Sequence, residues 1–342
     1  MEERNPWGRS GLKPRIRFRH TFLALLSLLH VVAPCLAAGQ TIRSFSLSVD
    51  NDGFVFWKPP RERTDWYYTH GLKASAVLGW APRLAKILGD QDPEACPTGS
   101  HPDSCILTKV EFGQEIYTPA SLFSASPPVR DRPYAGWLYV SAAVANLKPG
   151  QTSSLAVEVG VTGKPSLAGP VHRWFHRALG KYEPQGWEYQ IPFELAFAFR
   201  YEANRTVSLL GEGKRPSLYL EPRGALELGT LRTGTTAGMS LRAGWNTTSS
   251  LEGSGPRPKP LHAILELGAE GEFVLRDLFL DGSTWGYSVK AERVPLVGRL
   301  RGRIQVGWKG LGLEFGATRS TNQFRDQLGP HTVGTIKVIV FP

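Results

Sequence analysis

Two small groups of polar residues in the first 200 positions have types and spacings that could bind a metal ion or transfer a proton. Asn51 and Asp52 offer the hard oxygen atoms that Ca²⁺ prefers as ligands. His172 and His176 are four residues apart, which would place both imidazoles on one face of a helix. A zinc-protease motif needs Glu directly after its first His, and position 173 is Arg. Together these residues offer ligands for a hard cation and an imidazole that could act as a base.

Each of these residues also has an ordinary structural explanation. Asn-Asp-Gly at positions 51–53 is a common turn sequence. A single histidine is more often a structural hydrogen-bonding residue than a general base. Thr69 carries no functional signal when it is considered alone. The residues gain meaning only from the elements that position them and from the longer strings around them.

The first 38 residues have the pattern of a secretory signal peptide. Six basic residues precede an apolar stretch from Phe22 to Ala33, and small residues follow at Ala37 and Ala38. The apolar stretch is too short for a membrane-spanning helix, which needs roughly 20 apolar residues. We therefore expect cleavage after Ala37 or Ala38 and a mature chain of residues 39–342 that forms one domain.

Charge and cysteine content narrow the possible partners. Removal of the leader, with six of the 40 basic and two of the 30 acidic residues, lowers the formal net charge from +10 to +6, which still favours an anionic partner. No basic stripe interleaved with aromatic residues indicates nucleic acid. Beyond the leader the chain has only Cys96 and Cys105. In an exported protein, two cysteines nine residues apart in a polar loop predict a disulfide.

The elements between these residues are predicted to be long strands. The segments with a strand pattern are 43–49, 69–79, 108–117, 136–147, 155–161, 189–201, 217–227, 235–245, 261–273, 285–293, 299–309, 311–319 and 332–341. In the segment 261–273, Leu265 and Leu267 alternate with Glu266 and Glu270, the outward-apolar and inward-polar rhythm of a membrane barrel. A soluble β-sandwich also alternates, but strands of about ten residues favour a tilted strand that crosses a bilayer. The pattern predicts an all-β protein: a transmembrane antiparallel β-barrel of about 12 strands, with a short helical segment near residues 171–179.

Longer strings along residues 45–200 resemble a known family, the outer-membrane lipid A 3′-O-deacylases, which are calcium-dependent lipid A deacylases. The strings are Asn51-Asp52, Tyr-Tyr-Thr-His-Gly at 67–71, Gly-Gln-Glu-Ile-Tyr-Thr-Pro at 113–119, Asp-Arg-Pro-Tyr-Ala-Gly-Trp at 131–137, Gly169-Pro170, His176, and Gly186-Trp187 with Gln190. They occur in the order of the family, and the string at 131–137 is long and specific.

The resemblance implies a twelve-stranded barrel in the bacterial outer membrane, with its active site between the barrel wall and the outer leaflet. It implies hydrolysis of the 3′-linked acyloxyacyl chain of lipid A, the anchor of lipopolysaccharide. By this resemblance, lipid A and the lipids of the outer membrane are the partners, and we expect a monomer that binds no nucleic acid.

Site residues follow from the resemblance position by position. His176, Thr69 and Asn51 are the expected catalytic residues, with His176 as the base that activates water. Asp52, Asn51 and Glu183 are the expected ligands of Ca²⁺, which stabilises the oxyanion. His172 and Gln190 are expected to bind substrate. His172 stands where the family tends to have Gln, and His70 stands where it often has Asn, while Lys109 is one possible position for the lysine of the family's active site.

Two other functions also fit a barrel of this kind. A non-catalytic pore or structural barrel would explain the leader and the strands but not the joint presence of Asn51, Asp52, Thr69 and His176. A calcium-dependent outer-membrane phospholipase would need a serine beside a histidine, and the chain has no Gly-x-Ser-x-Gly string.

Overall fold

Segments in which apolar and polar residues alternate form antiparallel strands over most of the described chain. The computed structural model describes residues 41–57, 66–88, 95–96, 104–126, 128–211, 216–246 and 261–342, and the predicted signal peptide at 1–38 lies outside these residues. The strands are β1 (Thr41–Asn51), β2 (Tyr67–Gly79), β3 (Cys105–Thr118), β4 (Ala135–Lys148), β5 (Gln151–Thr162), β6 (Leu195–Arg205), β7 (Val207–Leu210), β8 (Ser217–Gly229), β9 (Arg232–Trp245), β10 (Leu261–Asp277), β11 (Leu296–Trp308), β12 (Leu311–Ser320) and β13 (His331–Val340).

The sheet closes on itself and forms a barrel. Consecutive wall strands pair antiparallel, β6 pairs with β8, and β13 pairs with β1. The four-residue β7 pairs only with β8, so the wall of the described structure contains twelve strands. The prediction of an antiparallel barrel of about 12 strands is confirmed. A closed sheet leaves no strand edge with unpaired main-chain groups, which is what a hydrocarbon environment requires.

The two faces of the wall have opposite chemistry. Glu270 and Glu272 point into the barrel, where Glu272 pairs with Arg299 at 2.8 Å and Glu270 with Arg301. Buried charges need such partners because a lone charge is costly to remove from water. The outer face carries exposed apolar side chains, which include Phe45, Leu47, Leu72, Val140, Val159, Phe197, Phe199, Leu226, Leu228, Leu241, Leu265, Leu267, Leu300, Ile304, Leu313 and Val338. This is the inward-polar and outward-apolar arrangement that the alternation in 261–273 predicted.

Two α-helices accompany the strands in the part of the chain that the structure describes: α1 (Ala168–Ala178) and α2 (Leu278–Asp281). The predicted helix near 171–179 corresponds to α1, which begins three residues earlier because Gly169-Pro170 belongs to its first turn. Proline is tolerated there, since the first turn of a helix has main-chain N–H groups without intrahelical partners. Neither helix has the length and apolar character that crossing a bilayer would require, and the described residues contain no other helix that does.

Two predicted strands differ from the structure: one is absent and one begins later than predicted. Residues 285–293 are not a strand: Trp285 and Tyr287 are exposed, and the main chain bonds irregularly, with Ala291 N–H donating to the Leu280 carbonyl. The strand predicted at 189–201 begins only at Leu195. A 3₁₀ turn at Gly186–Tyr189 and the proline at position 192, which cannot donate to a strand ladder, delay its start.

The predicted disulfide between Cys96 and Cys105 is present. It joins the start of β3 to the segment before it, where the Cys96 N–H donates to the Ile106 carbonyl at 3.0 Å. Both cysteines pack with Val77 and Leu107 in a small apolar cluster. The disulfide is at the start of β3 and therefore at one end of the barrel. The other end of β3, at Thr118, lies at the same end of the barrel as Asn51, the last residue of β1.

Replacing both cysteines by serine should lower the free energy of unfolding by about 2.5 kcal/mol, because the short closed loop gains freedom mainly in the unfolded chain. The measurement is urea unfolding of the detergent-solubilised barrel with and without reductant. Reductant should destabilise the natural protein and leave the Cys96→Ser/Cys105→Ser variant unchanged. Equal unfolding midpoints for the natural protein and the variant would contradict the prediction.

Candidate functional site

A cavity of about 290 Å³, here called the outer pocket, lies between α1 and the ends of β1, β2 and β3. Asn51 and Ile116 line it, whereas the adjacent Asp50 and Glu115 line the barrel interior. Because successive strand residues point to opposite faces, the outer pocket is on the outside of the wall. The residues that line it are Asn51, Gly53, Phe54, Phe56, Thr69, His70, Ile116, Val171, His172, Phe175, His176, Leu179 and Lys181.

Asn51 ties the end of β1 to the start of β2. Its Oδ1 accepts a hydrogen bond from the Gly53 N–H at 2.8 Å, and its Nδ2 donates to the Thr69 carbonyl at 2.8 Å. Asp52 follows in a 3₁₀ turn and is buried, and its Oδ2 accepts from the Trp66 N–H at 2.8 Å. An amide oxygen and a carboxylate are therefore held in place by main-chain donors beside the pocket.

Thr69 lies at an irregularity in β2, and its hydroxyl is hydrogen-bonded to the hydroxyl of another threonine. The pairing of β2 with β3 shifts between Tyr68 and His70, so Tyr68 faces the interior while Thr69 and His70 both line the outer pocket. Thr69 Oγ1 lies 2.7 Å from Thr118 Oγ1, and both residues are buried. Sequence reasoning missed Thr118 as a partner of Thr69, although it lies in the string at 113–119.

The start of α1 packs directly against the wall. A Cβ atom added to Gly136 of β4 would lie 2.2 Å from the Ala168 Cβ and 2.1 Å from the Ser166 Oγ. Only glycine allows this approach. From β3, Gln114 Nε2 donates to the Ser166 carbonyl at 2.6 Å. Residues of both strings, 113–119 and 131–137, thus hold α1 against the barrel wall.

The loop before β4 supports the other side of α1. Asp131 accepts hydrogen bonds from the N–H groups of Ala120 and Arg132, each at 2.7 Å. Burial raises the pKa of Asp131, while these two donors act in the opposite direction. Tyr134 is buried against the Trp187 ring, with centroids 5.0 Å apart. The loop therefore holds Trp187 against α1.

Both histidines of α1 are buried and face the outer pocket. Their ring centroids are 4.4 Å apart, as the spacing of four residues predicted. Trp187 Nε1 donates to His172 Nδ1 at 3.3 Å. His176 Nδ1 lies 2.7 Å from the Tyr182 carbonyl oxygen. Because a carbonyl only accepts, Nδ1 of His176 carries the hydrogen, and Nε2 is the nitrogen that can take a proton.

The turn after α1 is what brings the Tyr182 carbonyl to His176. Gly180 has φ of +66°, and its N–H donates to the Arg177 carbonyl at 3.1 Å. The Lys181 N–H donates to the His176 carbonyl at 2.8 Å. This pair of bonds is the Schellman motif, which closes a helix with a left-handed glycine. The motif fixes residues 181 and 182 relative to the imidazole.

Four predicted residues do not line the outer pocket: Asp52, whose contacts are given above, and Glu183, Gln190 and Lys109. Glu183 is partly exposed and is held by Arg177, whose Nε and Nη2 lie 2.9 and 3.0 Å from its two oxygens. These hydrogen bonds lower the pKa of Glu183 from its ordinary value. Gln190 Nε2 donates to the Trp187 carbonyl at 3.0 Å. Lys109 pairs with Glu111 at 2.7 Å, in the half of β3 that is remote from Thr118.

The oxygen ligands beside the pocket are of the chemical type that Ca²⁺ binds. The described residues contain no group of three or more His, Cys, Asp or Glu side chains placed to hold a metal ion. The Asp52 carboxylate and the Asn51 amide oxygen are hard ligands, which suit Ca²⁺ better than the softer metals that thiolates select. Ca²⁺ takes roughly six to eight oxygens, so water, main-chain or substrate oxygens would have to supply the remainder.

A family described as "Outer membrane protein LpxR" matches residues 22–341 of the chain. Among solved structures, LpxR from Salmonella typhimurium is similar with a TM-score of 0.71 and 18% sequence identity, over 87% of this chain and 100% of that chain. At that identity, the structural likeness supports the fold, and the family match confirms the resemblance found in the sequence.

Two autotransporter barrels have a weaker likeness. The β domain of the Bordetella autotransporter BrkA is 10% identical, with a TM-score of 0.41 over 87% of this chain and 98% of that chain. The translocator domain of the autotransporter NalP from Neisseria meningitidis is 9% identical, with a TM-score of 0.40 over 94% and 95%. Neither value is high enough to carry a functional argument. No curated protein matches the sequence.

Proposed function

The chain belongs to the LpxR outer membrane protein family, and from this premise we propose that it is a lipid A 3′-O-deacylase, an esterase that hydrolyses the 3′-linked acyloxyacyl chain of lipid A. The protein is an outer-membrane β-barrel. The position of the outer pocket on the lipid side of the wall supports a lipid substrate, because an ester in the outer leaflet reaches it without entering the barrel.

One observation supports the chemistry most directly: the tautomer of His176. With Nδ1–H bonded to the Tyr182 carbonyl, Nε2 can accept a proton from water as the water attacks the ester carbonyl. The imidazolium formed in this step lies in the last turn of α1, where the negative end of the helix dipole stabilises a cation. The proton is then available for the departing sugar hydroxyl.

Thr69 and Asn51 position the reactants in this proposal. The Thr69 hydroxyl, oriented by Thr118, would direct the attacking water or the ester. Asn51 would hold the turn that carries Asp52 and lend its amide oxygen to the cation site. His172 would contact the substrate near the base, and Gln190, which lies outside the lining, would contact a part of the substrate that extends beyond the outer pocket.

Ca²⁺, when it is bound by Asp52 and Asn51, would polarise the ester carbonyl and stabilise the oxyanion that develops there. Glu183 is the third proposed ligand, and it would have to leave Arg177 to take part.

The alternatives are less well supported by the pocket. A phospholipase of the serine type needs a serine beside the histidine, and none of the described residues that line the outer pocket is serine. A pore gives no reason for a buried histidine with a fixed tautomer on the outer side of the wall.

The decisive experiment is mass spectrometry of lipid A from outer membranes with and without the protein, in the presence of Ca²⁺ and after chelation. We expect loss of the mass of the 3′ acyloxyacyl group only when both the protein and Ca²⁺ are present. Unchanged lipid A together with ion conductance in planar bilayers would favour the pore. Release of fatty acids from phospholipids instead would favour the phospholipase.

The turn at Gly180 allows a further prediction about His176. Gly180→Ala should destabilise the turn by about 1 kcal/mol, because a side chain is disfavoured at positive φ. The shifted turn would move the Tyr182 carbonyl away from His176 Nδ1, so the rate of acyl release should fall. Nothing lies within 4 Å of an added Cβ, so the effect would come from the backbone and not from a clash.

Gly180→Asn provides the matched control, because asparagine tolerates the left-handed region better than alanine. It should retain more activity and stability than Gly180→Ala. Thermal unfolding and initial rates are to be measured on both variants. Equal rates for the two variants and the natural protein would show that the turn does not position His176.

A further inference from the structure

We propose that Lys181 binds the 4′-phosphate of lipid A and makes the enzyme prefer substrates that keep this phosphate. The inference rests on the proposed function and names a substrate group that the outer pocket recognises. It concerns the mouth of the pocket, which neither the base nor the proposed cation site occupies.

The first argument is the charge of the pocket lining. Lys181 is exposed and lines the outer pocket together with His176 and Thr69. Among the described residues of the lining it is the only Lys or Arg, and no Asp or Glu lines the pocket beside it. A lysine ammonium on a flexible stem is a common ligand for phosphate.

The second argument is the fixed relation between Lys181 and the base. The Lys181 N–H donates to the His176 carbonyl at 2.8 Å, and the next carbonyl, of Tyr182, holds His176 Nδ1 at 2.7 Å. The main chain of Lys181 is therefore fixed relative to His176. The flexible side chain of Lys181 starts beside the place where the ester must lie for His176 to act.

The third argument is the position of a neighbouring cationic side chain, Arg177. Its guanidinium lies outside the lining and is engaged by both oxygens of Glu183. Lys181 lies in the lining and Arg177 does not, so Lys181 is the better placed of the two cations for a group bound in the pocket.

The chemistry of the substrate supplies the fourth argument. The 3′ ester and the 4′-phosphate are attached to adjacent carbon atoms of one sugar ring. When the ester carbonyl lies at His176, the phosphate must lie within a short distance of it, on the water-exposed side and not among Ile116 and Phe175. Lys181 is the charged side chain on that side of the lining.

The test compares two isomeric substrates that carry the same net charge: lipid A that lacks only the 4′-phosphate and lipid A that lacks only the 1-phosphate. For Lys181→Met we expect kcat/KM to fall about tenfold on the form that keeps the 4′-phosphate, the usual effect of losing one charged hydrogen bond. The loss should appear mainly in KM, since the contact binds the ground state and the transition state alike. On the form without the 4′-phosphate, the natural protein and the variant should have equal kcat/KM.

Two variants complete the design. Lys181→Arg keeps the charge and should restore most of the discrimination between the isomers. Lys164→Met removes an exposed lysine that precedes α1 and does not line the pocket, so it should leave both rates unchanged. Semi-native gel electrophoresis would verify that every variant is folded.

The outcomes separate this inference from the proposed function. Equal losses of Lys181→Met on both isomers would overturn the phosphate assignment and indicate a role in the chemistry itself, while the deacylase function would stand. Absence of acyl release from every form of lipid A by the natural protein would overturn the proposed function and this inference together.

Discussion

His176→Asn should lower kcat/KM for release of the 3′ acyl chain by about 10²- to 10⁴-fold, the range typical of a lost general base. Asparagine can place an amide N–H near the position of Nδ1 and so keep the bond to the Tyr182 carbonyl, which lies 2.7 Å from that nitrogen. It has no nitrogen that can accept a proton. Initial rates measured by mass spectrometry of lipid A across a range of pH would test the prediction. Residual activity should also lose the acid limb of the natural pH profile.

His172→Gln is the matched control for this variant. Glutamine retains an acceptor for the Trp187 indole N–H, which lies 3.3 Å from His172 Nδ1. Glutamine is also the residue that the family tends to have at this position. We expect a decrease of less than about tenfold, of the size of one neutral hydrogen bond. If His176→Asn kept full activity while His172→Gln lost it, the base would have to be reassigned to His172.

Removal of Ca²⁺ should have the second large effect. Exhaustive chelation should reduce the rate at least about 10²-fold, because the stabilisation of a developing oxyanion by a cation contributes several kcal/mol. Asp52→Asn should raise the Ca²⁺ concentration required for half-maximal activity on the order of 10- to 100-fold, since the affinity of such sites depends on their number of charged ligands. The side-chain amide oxygen of this variant could still accept from the Trp66 N–H, so the turn should persist.

Binding of Ca²⁺ is to be measured directly by isothermal titration calorimetry, so that the metal site is tested apart from catalysis. Glu188→Gln, which removes an exposed carboxylate beside Trp187, should bind Ca²⁺ as the natural protein does. Glu183→Gln tests the third proposed ligand, and weaker binding would add Glu183 to the set. Full activity after chelation, or unchanged affinity in Asp52→Asn, would contradict the proposed role of the cation.

Much of the fold could be predicted because it depends on local patterns. The two-residue alternation around Leu265 and Glu270 predicted which side chains would face outward and which inward, and the structure shows the inward Glu270 paired with Arg301. The spacing of Cys96 and Cys105 predicted the disulfide. The strand predicted at 285–293 was wrong, since its main-chain groups bond to α2, through Ala291 and Leu280, and to the segment after β12, through Glu292 and Arg325.

The candidate site was only partly predictable. The residues named from the resemblance include Asn51, Thr69, His172 and His176, which the structure brings to one pocket. Thr118 and Lys181 were missed, because nothing in the local sequence marks a hydroxyl partner in another strand or a lysine in a turn. Asp52, Glu183 and Gln190 lie outside the lining. The Trp66 N–H bonds to Asp52, Arg177 to Glu183, and Gln190 to the Trp187 carbonyl.

The sequence by itself determined the class of fold, the inward and outward faces of the strand at 261–273, the helix and the disulfide, because each depends on residues close together in the chain. Only the tertiary structure decided that Asn51, Thr69, His176 and Lys181 share one cavity. Their meeting depends on the register of β1 with β2, on the shift at Thr69, and on the close approach of Ala168 to Gly136. These are contacts between segments far apart in the chain, and they form only when the barrel closes and α1 docks on its outer wall.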